Sequence, residues 1–131
     1  MSRPHPPVLE KIAALQGTPT YVYSACSLNK EAGRWVDAAG DASRIFFAAK
    51  ANSNLAVLDR LRRTGIGIEV ATAGERARAE QAGFPPDRIL LGGVPKAADV
   101  VANAIGSVLA LVVLQADHEV DAAIEGADPA R

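Results

Sequence analysis

The run Phe46-Phe47-Ala48-Ala49-Lys50-Ala51-Asn52-Ser53-Asn54 carries an apolar, strand-like segment into a single lysine and then into a polar turn. Strand interiors seldom accept lysine, because burying an unpaired ammonium is costly and its pKa falls to relieve that cost. An amine held at the end of a buried strand is therefore expected to be partly neutral, and a neutral amine attacks an aldehyde to make a covalent handle. A second reactive group lies in Gly67-Ile68-Glu69-Val70, where Glu69 interrupts another apolar strand. Pointing inward from a neighbouring strand, its carboxylate would come within reach of Lys50. On composition alone, solvated charges near strand ends account for both residues.

The elements that must position these groups are legible from periodicity and punctuation. Pro4, Pro6 and Pro7 predict an extended start, and Val8, Ile12 and Leu15 at helical spacing predict a short helix ending at Gly17. Thr20-Tyr21-Val22-Tyr23 reads as a strand. Leu28, Ala32, Val36 and Ala39 form one apolar stripe of a helix with Gly40 as its C-cap. From Arg44 onward strands at about residues 45–49, 68–71, 89–91 and 109–114 alternate with helices at about 55–63, 73–82, 97–105 and 118–125. Thr72-Ala73-Gly74-Glu75 matches a capping box, Gly83 and Pro85-Pro86 stop the helix that follows, and Asn54 and Asp117 are the expected N-caps of two others.

Strands separated by helices imply an α/β fold with a parallel sheet and right-handed crossovers. Two closures satisfy that pattern, an open doubly wound sheet and part of an eight-stranded barrel. Four strand-helix units make half a barrel, which leaves two parallel edges unpaired. The apolar run 108–114 is one such edge and has no charge to blunt it, so the chain is expected to be incomplete. Barrel enzymes keep their chemistry at the C-terminal ends of the strands, the end at which Lys50 falls.

Composition excludes several other classes. The 131 residues suffice for one modest domain, and 14 basic against 15 acidic residues give a net charge of −1 without a basic stripe for nucleic acid. The longest apolar stretch is far below the roughly 20 residues a membrane span needs, and the N-terminus lacks the apolar centre of a signal peptide. Cys26 is the single cysteine, which rules out an internal disulfide, predicts a small buried residue, and makes a cytoplasmic setting the expectation. No His, Cys and carboxylate cluster has metal-ligand spacing. Gly92-Gly93-Val94-Pro95-Lys96 lacks phosphate-loop spacing. His5 and His118 are expected to be exposed and structural, and Trp35 and Phe84 to be packing residues.

The nine residues around Lys50 resemble the lysine motif of the diaminopimelate decarboxylases and related fold-type III pyridoxal-phosphate enzymes. Three further segments agree in order: Gly17-Thr18-Pro19-Thr20-Tyr21-Val22-Tyr23-Ser24, Gly67-Ile68-Glu69-Val70-Ala71-Thr72-Ala73-Gly74-Glu75, and Ala82-Gly83-Phe84-Pro85-Pro86-Asp87-Arg88-Ile89. The resemblance covers about residues 17–96 and weakens beyond Lys96. It implies a partial TIM (β/α) barrel of about four βα units preceded by a helix and a strand. Residues 1–24 would form an N-terminal segment that joins a C-terminal β-domain in a full-length relative, and residues 25–131 an incomplete cofactor-binding barrel.

The same resemblance implies pyridoxal 5'-phosphate as cofactor, with Lys50 as the Schiff-base lysine and Ala48, Glu69 and Glu75 as further cofactor-site residues. Glu69 stands where the family usually has Asp, and a shift of about 1 Å at such a position costs on the order of a hundredfold in rate. Glu75 matches an acidic residue of the following turn, a position the capping box also explains. The implied reaction is decarboxylation of meso-2,6-diaminopimelate to L-lysine by a homodimer. The family's phosphate loop, its partner for the pyridine nitrogen and its substrate-selecting residues have no counterpart in these 131 residues, so negligible activity is expected of the chain alone. A related decarboxylase or racemase acting on another amino acid, and an inactive fragment, stay open as alternatives.

Overall fold

Four short strands pair in sequence order, all in parallel: β1 (Phe46–Ala48), β2 (Gly67–Val70), β3 (Ile89–Leu91) and β4 (Leu111–Val112). They belong to a computed structural model that describes residues 5–94 and 96–127. Pro4 of the expected extended start and Pro95 of the Gly92 to Lys96 run lie outside the described residues. Helices α3 (Leu55–Arg62), α4 (Ala73–Gln81) and α5 (Ala98–Gly106) connect successive strands, and α6 (Asp117–Gly126) follows β4.

Alternation along the strands divides the sheet into two faces. Ile68, Val70, Ile89 and Leu91 point into a core shared with Leu58 of α3, Ala79 of α4 and Ala104 of α5. Leu58, Ile68 and Ile89 are completely buried, and each such side chain contributes about 1.5–3 kcal/mol. Surface pairs such as Arg34 with Glu31 contribute about 0–1 kcal/mol each, so the strand-helix layer dominates. The opposite face carries Ala48, Glu69, Leu90 and Leu111 in register across all four strands. Arginines join the units: Arg62 donates to the Ala82 carbonyl, Arg76 to Asn103 and Ser107, and Arg88 to the carbonyls of Ala42 and Gly65.

Before the sheet lie α1 (Pro6–Gln16) and α2 (Ala25–Ala39). Pro6 and Pro7 open α1 rather than extending the start, since the first helical turn needs no N–H from them. Gly17 closes α1 at φ 79°, and Gly40 closes α2 in the left-handed region, donating to the Val36 carbonyl. The expected α2 stripe faces inward, with Ala32 buried.

Several sequence expectations are corrected. Thr20-Tyr21-Val22-Tyr23 joins no ladder among the described residues, and both tyrosines are exposed because no strand lies alongside. Cys26 is exposed because it lies off the α2 stripe, and Trp35 is exposed although it shares a face with Leu28 and Ala32, whereas Phe84 is buried as expected. The run 109–114 pairs only through Leu111 and Val112, because β3 ends at Leu91. The N-cap of α6 is Ala116, one residue before the expected Asp117. Among the described residues no helix is long and apolar enough to cross a membrane.

The capping of α6 uses a buried carboxylate. Glu119 is fully buried and accepts the backbone N–H groups of Lys96, Gln115 and Ala116. The buried Lys96 ammonium lies 3.1 Å from Glu119 Oε1, at ion-pair distance but without hydrogen-bond geometry, and has no hydrogen-bond partner among the described residues. The Gln115 and Lys96 N–H groups, outweighing the cost of burial and helped by the ammonium, hold the Glu119 pKa down at about 2. Glu119 thus ties the loop after β3 to the start of α6.

Three outcomes follow from this architecture. Val108 sits at φ 54°, a conformation unfavourable for a β-branched residue, with its side chain exposed. Val108→Gly should raise stability by about 1 kcal/mol, read as a higher urea midpoint. A depressed carboxylate stabilises above its unfolded pKa and loses that contribution as pH falls through its folded pKa. Between about pH 4.5 and 2 the wild-type chain should therefore lose stability more steeply than Glu119→Gln. At neutral pH Glu119→Ala should cost more than Lys96→Met, because it strands three N–H groups and a cation rather than leaving a carboxylate with its N–H donors.

Candidate functional site

The C-terminal rim of the sheet collects the candidate residues. β1 ends at Ala48, and Ala49–Ala51 form a single 3-10 turn that carries Lys50. Ala49 is buried in the main core and pins the turn from below, while Lys50 itself is exposed. This corrects the expectation of a buried amine. The strand stops one residue earlier than its apolar pattern suggested, and Lys50 follows in an exposed turn.

The polar residues after Lys50 are consumed by backbone capping. Asn52 N–H donates to the Ala49 carbonyl at 3.1 Å, and Asn52 Oδ1 accepts from Asn54 N–H at 3.0 Å. Asn54 caps α3 as expected, accepting from Ala56 and Val57. Ser53 presents its carbonyl to Arg78 Nε of α4 at 2.8 Å.

Glu69 pairs in register with Ala48 on one side and Leu90 on the other, on the face opposite the helix layer. It is half-buried, and no ion pair within 4.0 Å joins it to Lys50 among the described residues. Its carboxylate lies over Gly92, where an added Cβ would come within 2.6 Å of Oε1. Gly93, at φ 90°, lies so close to Ala71 that a Cβ there would meet the Ala71 methyl at 2.7 Å. The glycine pair after β3 therefore makes room for the end of β2. Sequence reading weighed these glycines only against phosphate-loop spacing and missed that role; their place directly after a strand was the available signal.

Glu75 turns back on its own strand. Its own N–H donates to Thr72 Oγ1 at 3.1 Å, the forward half of the expected capping box, while its Oε2 accepts the N–H of Ala71 at 2.7 Å, one residue before the Thr72 N–H that the box calls for. Ala48, Lys50, Glu69 and Glu75 thus share one rim, with Ala48 on β1, Lys50 in the turn after it, Glu69 on β2 and Glu75 committed to holding the β2 to α4 turn. Arg78 gave no sequence signal, and the pairing of Lys96 with Glu119, 23 residues apart, gave none either.

A family model described as pyridoxal-dependent decarboxylase, pyridoxal binding domain, matches residues 26–126. The chain is 44% identical over 101 residues to diaminopimelate decarboxylase of Zymomonas mobilis, covering 74% of this chain and 24% of that protein. Among solved structures, AQ1208 from Aquifex aeolicus superposes with a TM-score of 0.79 at 34% identity, over 90% of this chain and 29% of that one. Diaminopimelate decarboxylase from Helicobacter pylori complexed with L-lysine gives 0.77 at 30% identity, over 90% and 30%. The chain therefore spans about a quarter of the length of the curated relative. Its four parallel βα units correspond to part of the TIM-barrel-like fold of these enzymes. The chain belongs to the pyridoxal-binding domain family of the pyridoxal-dependent decarboxylases.

Proposed function

We propose that this chain carries the lysine-bearing part of a diaminopimelate decarboxylase site, with Lys50 as the residue that holds pyridoxal phosphate. The observation that carries this reading is the placement of an exposed primary amine in a backbone-locked turn at the end of β1, beside the strand that bears Glu69. The donor set fits the aldehyde end of the cofactor in kind. Lys50 would hold that aldehyde end through its side-chain nitrogen. When bound, the pyridoxal ring supplies the electron sink for loss of carbon dioxide from an amino acid.

The remaining roles belong to this chain's own side chains. Ala48, small and in register with Glu69, leaves the rim open in front of the lysine. Glu69 offers a carboxylate that accepts a proton or hydrogen bond beside the amine, and Gly92 gives that carboxylate its seat. Glu75 keeps the β2 to α4 turn fixed. The relatives' names support meso-diaminopimelate as substrate and L-lysine as product, and we extend the reading to a cytoplasmic homodimer. The division near residue 25 is supported by α1, which buries none of its residues, and by a segment at 20–23 that joins no sheet.

The test is a chimera in which residues 26–126 replace the matching segment of the Zymomonas mobilis relative. It should release carbon dioxide from meso-diaminopimelate, and Lys50→Ala should abolish that release. Equal turnover with and without Lys50 contradicts the proposal. Gly92→Ala in the chimera should lower turnover by about a hundredfold through a shift of about 1 Å in Glu69, with little change in melting temperature. The 131-residue chain alone should release no measurable carbon dioxide.

A further inference from the structure

The turn that carries Lys50 is held at three places, and two of them are local. Ala49 is buried beneath it, and the Asn52 and Asn54 side chains close its far end through neighbouring N–H groups. The third hold comes from another unit of the fold. Arg78 Nε donates to the Ser53 carbonyl at 2.8 Å across 25 positions of sequence, and among the described residues this is the one side-chain hydrogen bond from outside the segment that reaches residues 50–54.

Arg78 is free for this contact. It forms no ion pair within 4.0 Å among the described residues, in contrast to Arg62, Arg63 and Arg76, which are paired with Asp59 or Glu80. Its side chain is exposed, while its neighbour Ala79 is completely buried, so the helix is anchored without it. The start of α4 is fixed to the end of β2 by the Thr72 and Glu75 contacts, and β2 carries Glu69.

We propose that Arg78 is a positioning residue for Lys50: it fastens the lysine turn to the β2 to α4 unit, and so sets the amine relative to Glu69. The inference rests on the reading of Lys50 as the residue that captures pyridoxal phosphate. A guanidinium suits the task because its Nε–H is directional and its charge shortens the contact to a carbonyl. Without it the turn keeps its local hydrogen bonds but loses its register with the neighbouring unit.

The experiment follows the growth of borohydride-reducible pyridoxal phosphate adduct on the 131-residue chain with time. Peptide mass resolves Lys50 from Lys30, an exposed helical lysine that serves as internal reference. In wild type Lys50 should react faster than Lys30. Arg78→Met and Arg78→Gln should lower the Lys50 to Lys30 rate ratio about threefold to tenfold. Circular dichroism and melting temperature should remain as in wild type, and Arg78→Lys should restore most of the ratio.

An unchanged ratio in Arg78→Met, with Lys50 still preferred in wild type, overturns the proposal alone. Equal reaction of Lys50 and Lys30 in wild type overturns the reading of Lys50 and the positioning role with it. A variant that melts early counts against the proposal, because it makes Arg78 a general support of the fold.

Discussion

The parallel register that sets Ala48 opposite Glu69, and Glu69 opposite Leu90, is the constraint on which the rest of this structure depends. A slip of one residue would exchange the faces of β2, turning Glu69 into the apolar layer and Ile68 and Val70 out of it. The penalty for that exchange is large. Two fully buried apolar side chains would be lost from a core centred on Leu58, Ile68 and Ile89, and a carboxylate would be stranded there. Packing under the helices thus determines which residue of β2 faces the rim, and the placement of Glu69 there is a consequence of the core.

Given the register, the rim is built mainly from backbone hydrogen bonds and close approaches. Thr72, Glu75, Asn52, Asn54 and Glu119 all spend side-chain oxygens on N–H groups left open where strands end and helices begin. Glycines at 92 and 93 let β2 and the loop after β3 approach more closely than a Cβ allows. Gly126 does the same for α6, which packs so tightly on α5 that a Cβ would lie 2.9 Å from Ala102 Cα. Lys50 and Glu69 are the rim residues whose charged groups this framework leaves uncommitted among the described contacts. That is what makes them candidates for chemistry rather than for support.

Much of this was legible in the sequence, for identifiable reasons. The alternation of strands and helices, the Asn54 cap and the Thr72 cap of α4 depend on local patterns, and they appear where those patterns place them. Lys50 was found because a lone lysine ends an apolar run, but its exposure was misjudged: apolar residues continued past the point where the ladder stops. The strand expected at residues 20–23 failed because strand propensity reports a fit to a partner, and none of the described residues supplies one. The ion pair of Lys96 with Glu119, the reach of Arg78 and the seat at Gly92 are contacts between units. They exist only once the register is set, so a single sequence carries no periodic trace of them.

We propose that register and turn together present Lys50 and Glu69 to one cofactor. The most direct measurement is a crystal structure of the chain after incubation with pyridoxal phosphate and reduction with borohydride. Continuous density should run from Lys50 Nζ to the pyridoxyl ring, lying on the face of Ala48 and Leu90 with Glu69 against it. A ring attached to Lys11, Lys30 or Lys96, or a Glu69 carboxylate turned into the helix layer, would contradict it.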